Sequence, residues 1–341
     1  METINNSVKK EKIIAGILGF VFLLLFIPIF WIEREMKVRI AEVFLVKPFQ
    51  PANIKVNVDH SFGTIPGIWR SLSQGGEEAA GVRMFESTVD FVKRLGIDYI
   101  RIDHIYDDDY YGVMKGEDKY DWSKLDKTVD DILAIGAKPF FSLSYLPEKV
   151  GPGKIGKPNN WADWQDLVRA TVEHYSKDIE GVYYEVWNEP PLEWFGGWKM
   201  YGEKDYRQLY EYAALGAKQA SGVKPYKFGG PAIPDMSEIW IRLLFDYVIE
   251  KNLPLDFISW HRYTFSPDVF INDVYQVNVL TGQDKYKQFQ DIEMMITEWG
   301  PNSEKDEAYS SNVAASHALA VIRKMFDKVD YIFAFEVKDG P

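Results

Sequence analysis

The chain contains no cysteine among its 341 residues, which excludes disulfides, thiolate nucleophiles and cysteine-ligated metal sites. Basic residues are also in deficit. Lysine and arginine number 39 against 51 aspartates and glutamates, and the formal net charge of −12 argues against a nucleic-acid partner. A Gly-rich phosphate loop is missing. The nearest candidate, Phe62-Gly63-Thr64-Ile65-Pro66-Gly67, holds a proline and lacks the G-x-G-x-x-G order. The five histidines, His60, His104, His174, His261 and His317, show neither H-x-H nor H-E-x-x-H spacing, so no metal and no cofactor are expected.

Charge is also lacking from one long stretch, Ile13 to Ile32, which is 20 residues long. About 20 apolar residues are needed to cross the hydrocarbon core of a bilayer, so a membrane anchor is expected here. A cleaved signal peptide is the main alternative. Its apolar region would be shorter and would end in small residues, whereas this run ends in Phe30-Trp31-Ile32-Glu33. Lys9, Lys10 and Lys12 precede the run, and Arg34, Lys37 and Arg39 follow it, so flanking charge alone gives no orientation. A short tail before a large domain favours the tail inside and the domain outside the cytoplasm. The expected organisation is a tail over 1–12, a single membrane span over 13–32, a stalk over 33–52 closed by Lys47-Pro48-Phe49-Gln50-Pro51, and one domain over 53–341.

That domain shows a βα rhythm. Strand-like runs are expected near 54–58, 99–102, 139–143, 182–187, 227–229, 257–260, 293–297 and 331–335. Helices are expected over 83–95, stopped by Gly96, and from a capping Ser123 to residue 135, stopped by Gly136. Others are expected over 161–177, 204–220, 236–250 and 311–328, with a short, irregular helix after the sixth strand. Eight such units fit an α/β fold, a (β/α)8 TIM barrel. A doubly wound open sheet is the rival, and the missing phosphate loop weighs against it. Few residues follow the eighth run, so the barrel is expected to lack its last helix. Apolar surface on strands eight and one would then be open to a partner chain.

Two segments carry the chemistry. Val186-Trp187-Asn188-Glu189-Pro190 and Ile296-Thr297-Glu298-Trp299-Gly300 each end an apolar, β-prone run in a carboxylate. Strand ends at the C-terminal rim are where such barrels hold functional side chains. A lone glutamate after a strand is ordinarily a solvated loop residue, and a strand-tip acid is ordinarily paired with an arginine. Here the Asn-Glu-Pro context and the second acid outweigh those readings. Trp194, Trp198 and Tyr201 follow Glu189 in a Gly-containing loop and offer aromatic faces. Asp107-Asp108-Asp109 read first as a solvated acidic loop, with contacts to substrate hydroxyls or a calcium site without EF-hand spacing as the alternatives.

At this point the chain resembles the clan A retaining glycoside hydrolases, and most closely glycoside hydrolase family 39. The resemblance covers roughly residues 54–339. It rests on Ile65-Pro66-Gly67-Ile68-Trp69-Arg70, Tyr99-Ile100-Arg101, the run from Lys138 to Glu148, Tyr184-Glu185-Val186-Trp187-Asn188-Glu189-Pro190, Asp256 to Tyr263, and Ile296-Thr297-Glu298-Trp299. The family includes β-xylosidases, α-L-iduronidases and membrane-linked biofilm-polysaccharide glycosidases. The resemblance implies that Glu189 is the general acid/base and Glu298 the nucleophile. Asn188 would hold the sugar 2-hydroxyl, and Arg101 would keep Glu298 ionised. His261 and Tyr263 would line the site, with Trp194 and Trp299 among the substrate-binding side chains. One departure stands out: the eighth strand reads Phe333-Ala334-Phe335-Glu336, where family members often carry a tryptophan.

The expected function is therefore retaining hydrolysis of a β-linked or uronic-acid-type polysaccharide at the membrane surface, with endo-action on an exopolysaccharide as the first choice. A noncatalytic, membrane-tethered carbohydrate-binding or polysaccharide-assembly subunit is the alternative. The missing last helix and the missing tryptophan motivate it.

Overall fold

The structure is a computed structural model that describes residues 65–338, apart from 77–82, 118, 305 and 306, together with the isolated residues 55, 57 and 59. The expected tail, membrane span and stalk lie outside the described residues. Among the described residues, no helix is long and apolar enough to cross a membrane.

Eight parallel strands close into one barrel in chain order: β1 (Ser71–Gln74), β2 (Tyr99–Ile102), β3 (Lys138–Leu143), β4 (Val182–Val186), β5 (Tyr226–Ile233), β6 (Phe257–Tyr263), β7 (Glu293–Gly300) and β8 (Tyr331–Phe335). The described helices between them are α1 (Val89–Lys93), α2 (Ser123–Ile135), α3 (Trp161–Ser176), α4 (Tyr206–Gln219), α5 (Glu238–Lys251), α6 (Pro267–Thr281) and α7 (Asn312–Met325). This is a (β/α)8 barrel, and the open doubly wound sheet is excluded.

The strand expected near 54–58 lies largely outside the described residues, and the place of the barrel's first strand is taken by another segment. It is Ser71-Leu72-Ser73-Gln74, a polar segment with one apolar side chain and hence no β-strand signature in its composition. Its serines are small because they face the barrel interior. Ser71 Oγ donates to Ile332 O at 2.9 Å, and Ser73 Oγ accepts from Arg101 Nη1 at 3.3 Å. β1 pairs with β2 on one side and with β8 on the other, Ser71 opposite Phe333 and Ser73 opposite Phe335. The sheet thus closes by its own hydrogen bonds. No helix follows β8 among the described residues. Even so, Ile332 on the outer face is fully buried, and Leu72 and Ala334 are half-buried.

Side chains alternate between two cores. Phe140, Tyr183, Phe257, Met295 and Phe333 fill the barrel interior as a separate cluster. Ile100, Phe141, Tyr184, Phe228, Ile258, Ile296 and Ile332 belong to the larger core between strands and helices. Each fully buried large apolar side chain contributes roughly 1.5–3 kcal/mol. The inner layer is crowded. At Gly229 on β5, a Cβ would come within 2.3 Å of Phe257 O, so only glycine fits there.

Helix ends show which local signals were read correctly. Gly136 closes α2 in the left-handed region at φ 94°, as its position after the periodic run implies. At the other end, Ser123 is the first helical residue rather than the cap, and Asp121 Oδ1 accepts its N–H at 3.0 Å. The helix expected over 83–95 is confined to α1, with turns before it. The helix after β6 is not short: α6 runs for 15 residues, with Pro267 in its first turn. Its β-branched residues lower its intrinsic propensity. Burial of Phe270, Val274, Val277 and Leu280 at i, i+4, i+7 and i+10 supplies the missing stability.

Candidate active site

At the end of β4 the chain makes a sharp turn. Trp187 and Glu189 adopt positive φ angles of 73° and 41°, a region few non-glycine residues occupy. Packing enforces the turn. The Trp187 ring is fully buried against Tyr145, Trp164 and Trp198. Its Nε1 donates to Phe195 O at 2.7 Å, and its carbonyl accepts from Ser142 Oγ at 2.8 Å. The Glu189 N–H then donates to Ala232 O at 3.0 Å. Trp198 serves as packing for this turn, not as a sugar platform. Trp194, 85% exposed, and Tyr201, 69% exposed, remain free-standing on the same loop.

Glu298 reaches the interior by a different device. Ile296 lies opposite Trp260, yet Glu298, not Thr297, lies opposite His261. The same extra residue appears against β8, where Ile296 and Trp299 face Ile332 and Ala334. Strict alternation would put Glu298 on the outer face with Ile296. One extra residue in β7 turns it inward.

The two glutamates meet at His261. Its Nδ1 lies 2.9 Å from Glu189 Oε1 and 3.4 Å from Glu298 Oε2. Donor atoms of Glu189, His261 and Glu298 all lie within 4.8 Å of one another. That set could also hold a divalent cation. Glu298 has two further donors, Arg101 Nη1 on Oε1 at 2.8 Å and Tyr263 OH on Oε2 at 2.9 Å. Arg101 is fully buried and nearly saturated. Its Nε donates to Glu185 Oε2 at 2.7 Å and its Nη2 to Asn188 Oδ1 at 2.8 Å. Asn188 Nδ2 in turn donates to Tyr145 OH at 3.2 Å.

Burial pushes the Glu298 carboxyl above its usual range, with the charges on Glu189 and Asp103 adding to it and those on His261 and Arg101 opposing it. The arginine contact expected from the sequence is present, but its charge does not dominate the balance. For Arg101 itself, burial would lower the pKa, and the charges on Glu185, Glu298 and Asp103 outweigh burial and hold it above the usual value. His261 behaves likewise: burial lowers it, and Glu298 and Glu189 raise it further than burial lowers it.

Glu189, Glu298, Asn188, Arg101, His261 and Tyr263 therefore converge on one centre. Trp299 does not. Its ring packs on Phe270 of α6 and His317 of α7, in the layer between strand and helices. The extra residue that turns Glu298 inward leaves Trp299 outward. The acidic loop is not simply solvated either. Asp107 is buried, bound to His104 Nδ1 at 3.0 Å and to Lys154 Nζ at 3.2 Å. Burial would raise it, but these partners and the Asp109 N–H bring it down to about 2.

Several residues of the centre were not anticipated. Glu185 is the buried counter-charge of Arg101, and Tyr145 braces Asn188. Both were legible in part, because Glu185 shares the inward parity of Tyr183 and is a lone acid within an apolar run. β8 carries Phe335 in the run where family members often have a tryptophan. The Phe335 ring lies 6.4 Å from that of Tyr263, edge to face.

A parallel eight-stranded barrel with two carboxylates converging from the C-terminal ends of β4 and β7 places the protein in clan A of the glycoside hydrolases. Residues 52–338 match glycosyl hydrolases family 39, and the chain belongs to that family. It is 29% identical over 229 residues to a β-xylosidase from Geobacillus stearothermophilus and 32% identical over 187 residues to one from Caldicellulosiruptor saccharolyticus. These matches cover 60% and 50% of this chain, but only 44% and 37% of those proteins. Among solved structures, a GH39 enzyme from Xanthomonas axonopodis pv. citri superposes with a TM-score of 0.68 at 24% identity, covering 80% of this chain and 60% of that one. A glucosidase from Croceicoccus marinus gives 0.62 at 21% identity, covering 81% of this chain and 61% of that one. Likeness at these identities bears on the fold alone.

Proposed function

We propose that the protein is a retaining glycoside hydrolase acting on a polysaccharide. The spacing of Glu189 and Glu298 across His261 carries this reading. Retaining enzymes hold their two carboxyl groups about 5–5.5 Å apart and inverting ones about 6.5–9.5 Å. One oxygen of each carboxylate lies within 4.8 Å of the other, which leaves little room for an attacking water between them and favours the retaining arrangement. The roles follow from the surroundings. Glu298 is gripped by Arg101 and Tyr263 deep in the barrel, which suits a carboxylate aimed at the anomeric carbon. Glu189 stands nearer the mouth, where a leaving-group oxygen would lie. Glu189 would protonate that oxygen while Glu298 forms the glycosyl-enzyme, and Glu189 would then take a proton from the water that releases the sugar. Asn188, oriented by Arg101 and Tyr145, would hold the 2-hydroxyl.

Exposed Trp194 and Tyr201, on the loop that follows Glu189, support a polymeric substrate and endo-action. The uncharged run 13–32 supports a single-pass membrane tether, with the barrel outside the cytoplasm and the polysaccharide reached at the membrane surface. The decisive experiment uses 2-deoxy-2-fluoroglycosides of several sugars, followed by mass spectrometry of tryptic peptides. Label on the peptide bearing Glu298, absent from Glu298→Gln and unaffected by EDTA, is the expected result. Polysaccharide binding without label from any probe would instead favour a binding subunit.

A further inference from the structure

Asp103 follows β2 directly and is two residues beyond Arg101. Strand alternation therefore puts it on the inward side, one layer nearer the mouth. It is 5% exposed, and its Oδ1 is buried without a hydrogen-bond partner. The nearest histidine nitrogen, His104 Nε2, lies 3.8 Å from Oδ2, beyond hydrogen-bond reach. His104 Nε2 faces it across that gap, while His104 Nδ1 is held by Asp107 and the ring packs against Tyr110 and Tyr145. The Asp103 charge is felt at Arg101, Tyr145 and Glu298 as well as at His104 and Tyr111, which places it beside the catalytic centre. A buried carboxylate oxygen without a donor is costly, and such groups are ordinarily satisfied by whatever the site binds.

We infer that Asp103 is a specificity-determining residue that accepts a hydrogen bond from a substrate hydroxyl or ammonium group and excludes sugars bearing a carboxylate. This rests on the glycosidase reading above. Asp103, Glu185 and Glu298 surround one permanent cation, Arg101, whose N–H groups go to Glu185, Glu298, Ser73 and Asn188, and Glu189 adds a fourth acid across His261. Lys154, on the same rim, is committed to Asp107 and Asp109. A uronate arriving here would bring another buried negative charge and meet no uncommitted lysine or arginine among these residues. The substrate class is therefore a neutral or amino sugar, and the uronic-acid option drops out.

The test compares kcat/KM for 4-nitrophenyl β-D-xyloside, β-D-glucoside, β-D-glucosaminide and β-D-glucuronide, in the full-length protein and in Asp103→Asn and Asp103→Ala. The uncharged or amino substrates should be favoured over the glucuronide by at least roughly 100-fold. Loss of the hydrogen bond should slow the best substrate roughly 10- to 100-fold in Asp103→Ala and less in Asp103→Asn, whose amide oxygen still accepts, and loss of the charge should narrow that preference in both. The 3-deoxy or the 4-deoxy xyloside should be slow with the natural protein and no slower with Asp103→Ala, which separates direct contact from misfolding. Turnover of the glucuronide on a par with the others overturns the charge argument. An unchanged Asp103→Ala overturns the assignment of the residue. If no sugar is cleaved and Glu298 takes no label, the glycosidase reading fails, and this inference fails with it.

Discussion

Glu298 lies opposite His261 because β7 carries one residue more than either neighbouring strand. That single extra residue changes the parity of β7 between Ile296 and Glu298. It is the reason the second carboxylate faces the first. Deleting Thr297 removes the extra residue and leaves Glu298 directly after Ile296, still inward and opposite His261, so covalent labelling should survive in the folded fraction. Exchanging Thr297 and Glu298 should instead place a threonine opposite His261 and abolish labelling even where circular dichroism still reports a folded barrel. An exchanged variant that still takes label would show that the register shift is incidental.

The two glutamates should fail in different ways. Glu298→Gln should abolish turnover of every substrate. Glu189→Ala should lose about 10²–10⁴-fold with poor leaving groups, the range of general acid catalysis, and far less with a dinitrophenyl glycoside that needs no protonation. Added azide should restore Glu189→Ala through a glycosyl azide of retained configuration. An inverted azide product would contradict the retaining assignment.

The raised carboxyl of Glu298 makes two predictions about pH. A nucleophile must be ionised, so activity is lost as pH falls through its pKa. The acid limb of kcat/KM should therefore lie above the ordinary glutamate value of about 4.3. Removing an opposing cation with Arg101→Met should move the limb to still higher pH. For stability the sign runs the other way. A carboxyl raised by burial favours the folded state below its ordinary pKa, and that contribution is lost as pH rises through the raised value. The melting temperature of Glu298→Gln should gain on that of the natural protein from acidic to neutral pH. A constant difference would show that burial is not what raises the group.

Arg101→Met should also destabilise the fold by about 3–5 kcal/mol, because it leaves Glu185 buried with no counter-charge. Denaturant melts should show this at neutral pH. The double variant Arg101→Met, Glu185→Leu should regain much of the loss without regaining activity.

Trp194 and Trp299 should separate cleanly. Trp194→Ala, at an exposed position, should leave the melting temperature unchanged and raise KM for a polysaccharide but not for an aryl monoglycoside. Trp299→Ala should cost about 3–5 kcal/mol as a large-to-small change in a buried layer, with KM for both substrates unaltered in the folded fraction. The opposite pattern would mean that Trp299, not Trp194, meets the sugar.

Seven of the eight strands were legible because their apolar residues serve two cores and stand out from their surroundings. β1 was not, because its inner positions are serines that leave room for Arg101 and its outer position is a single leucine. The helix stop at Gly136 could be read from one residue, since a left-handed backbone selects glycine locally. The length of α6 could not, since its stability comes from Phe270, Val274 and Val277 against the barrel, and propensity argues the other way.

The amino-acid sequence by itself determined the βα order, the barrel class and the two acids at strand ends. Each of these is written in local periodicity or in a short run of residues. Only the tertiary structure decided which side chains face inward. It did so through the extra residue of β7, the Trp187 turn, and the sharing of Arg101 among Glu185, Glu298 and Asn188. Those contacts join residues from 84 to 197 positions apart. Parity and charge pairing at that range depend on the closed sheet, and no local pattern encodes them.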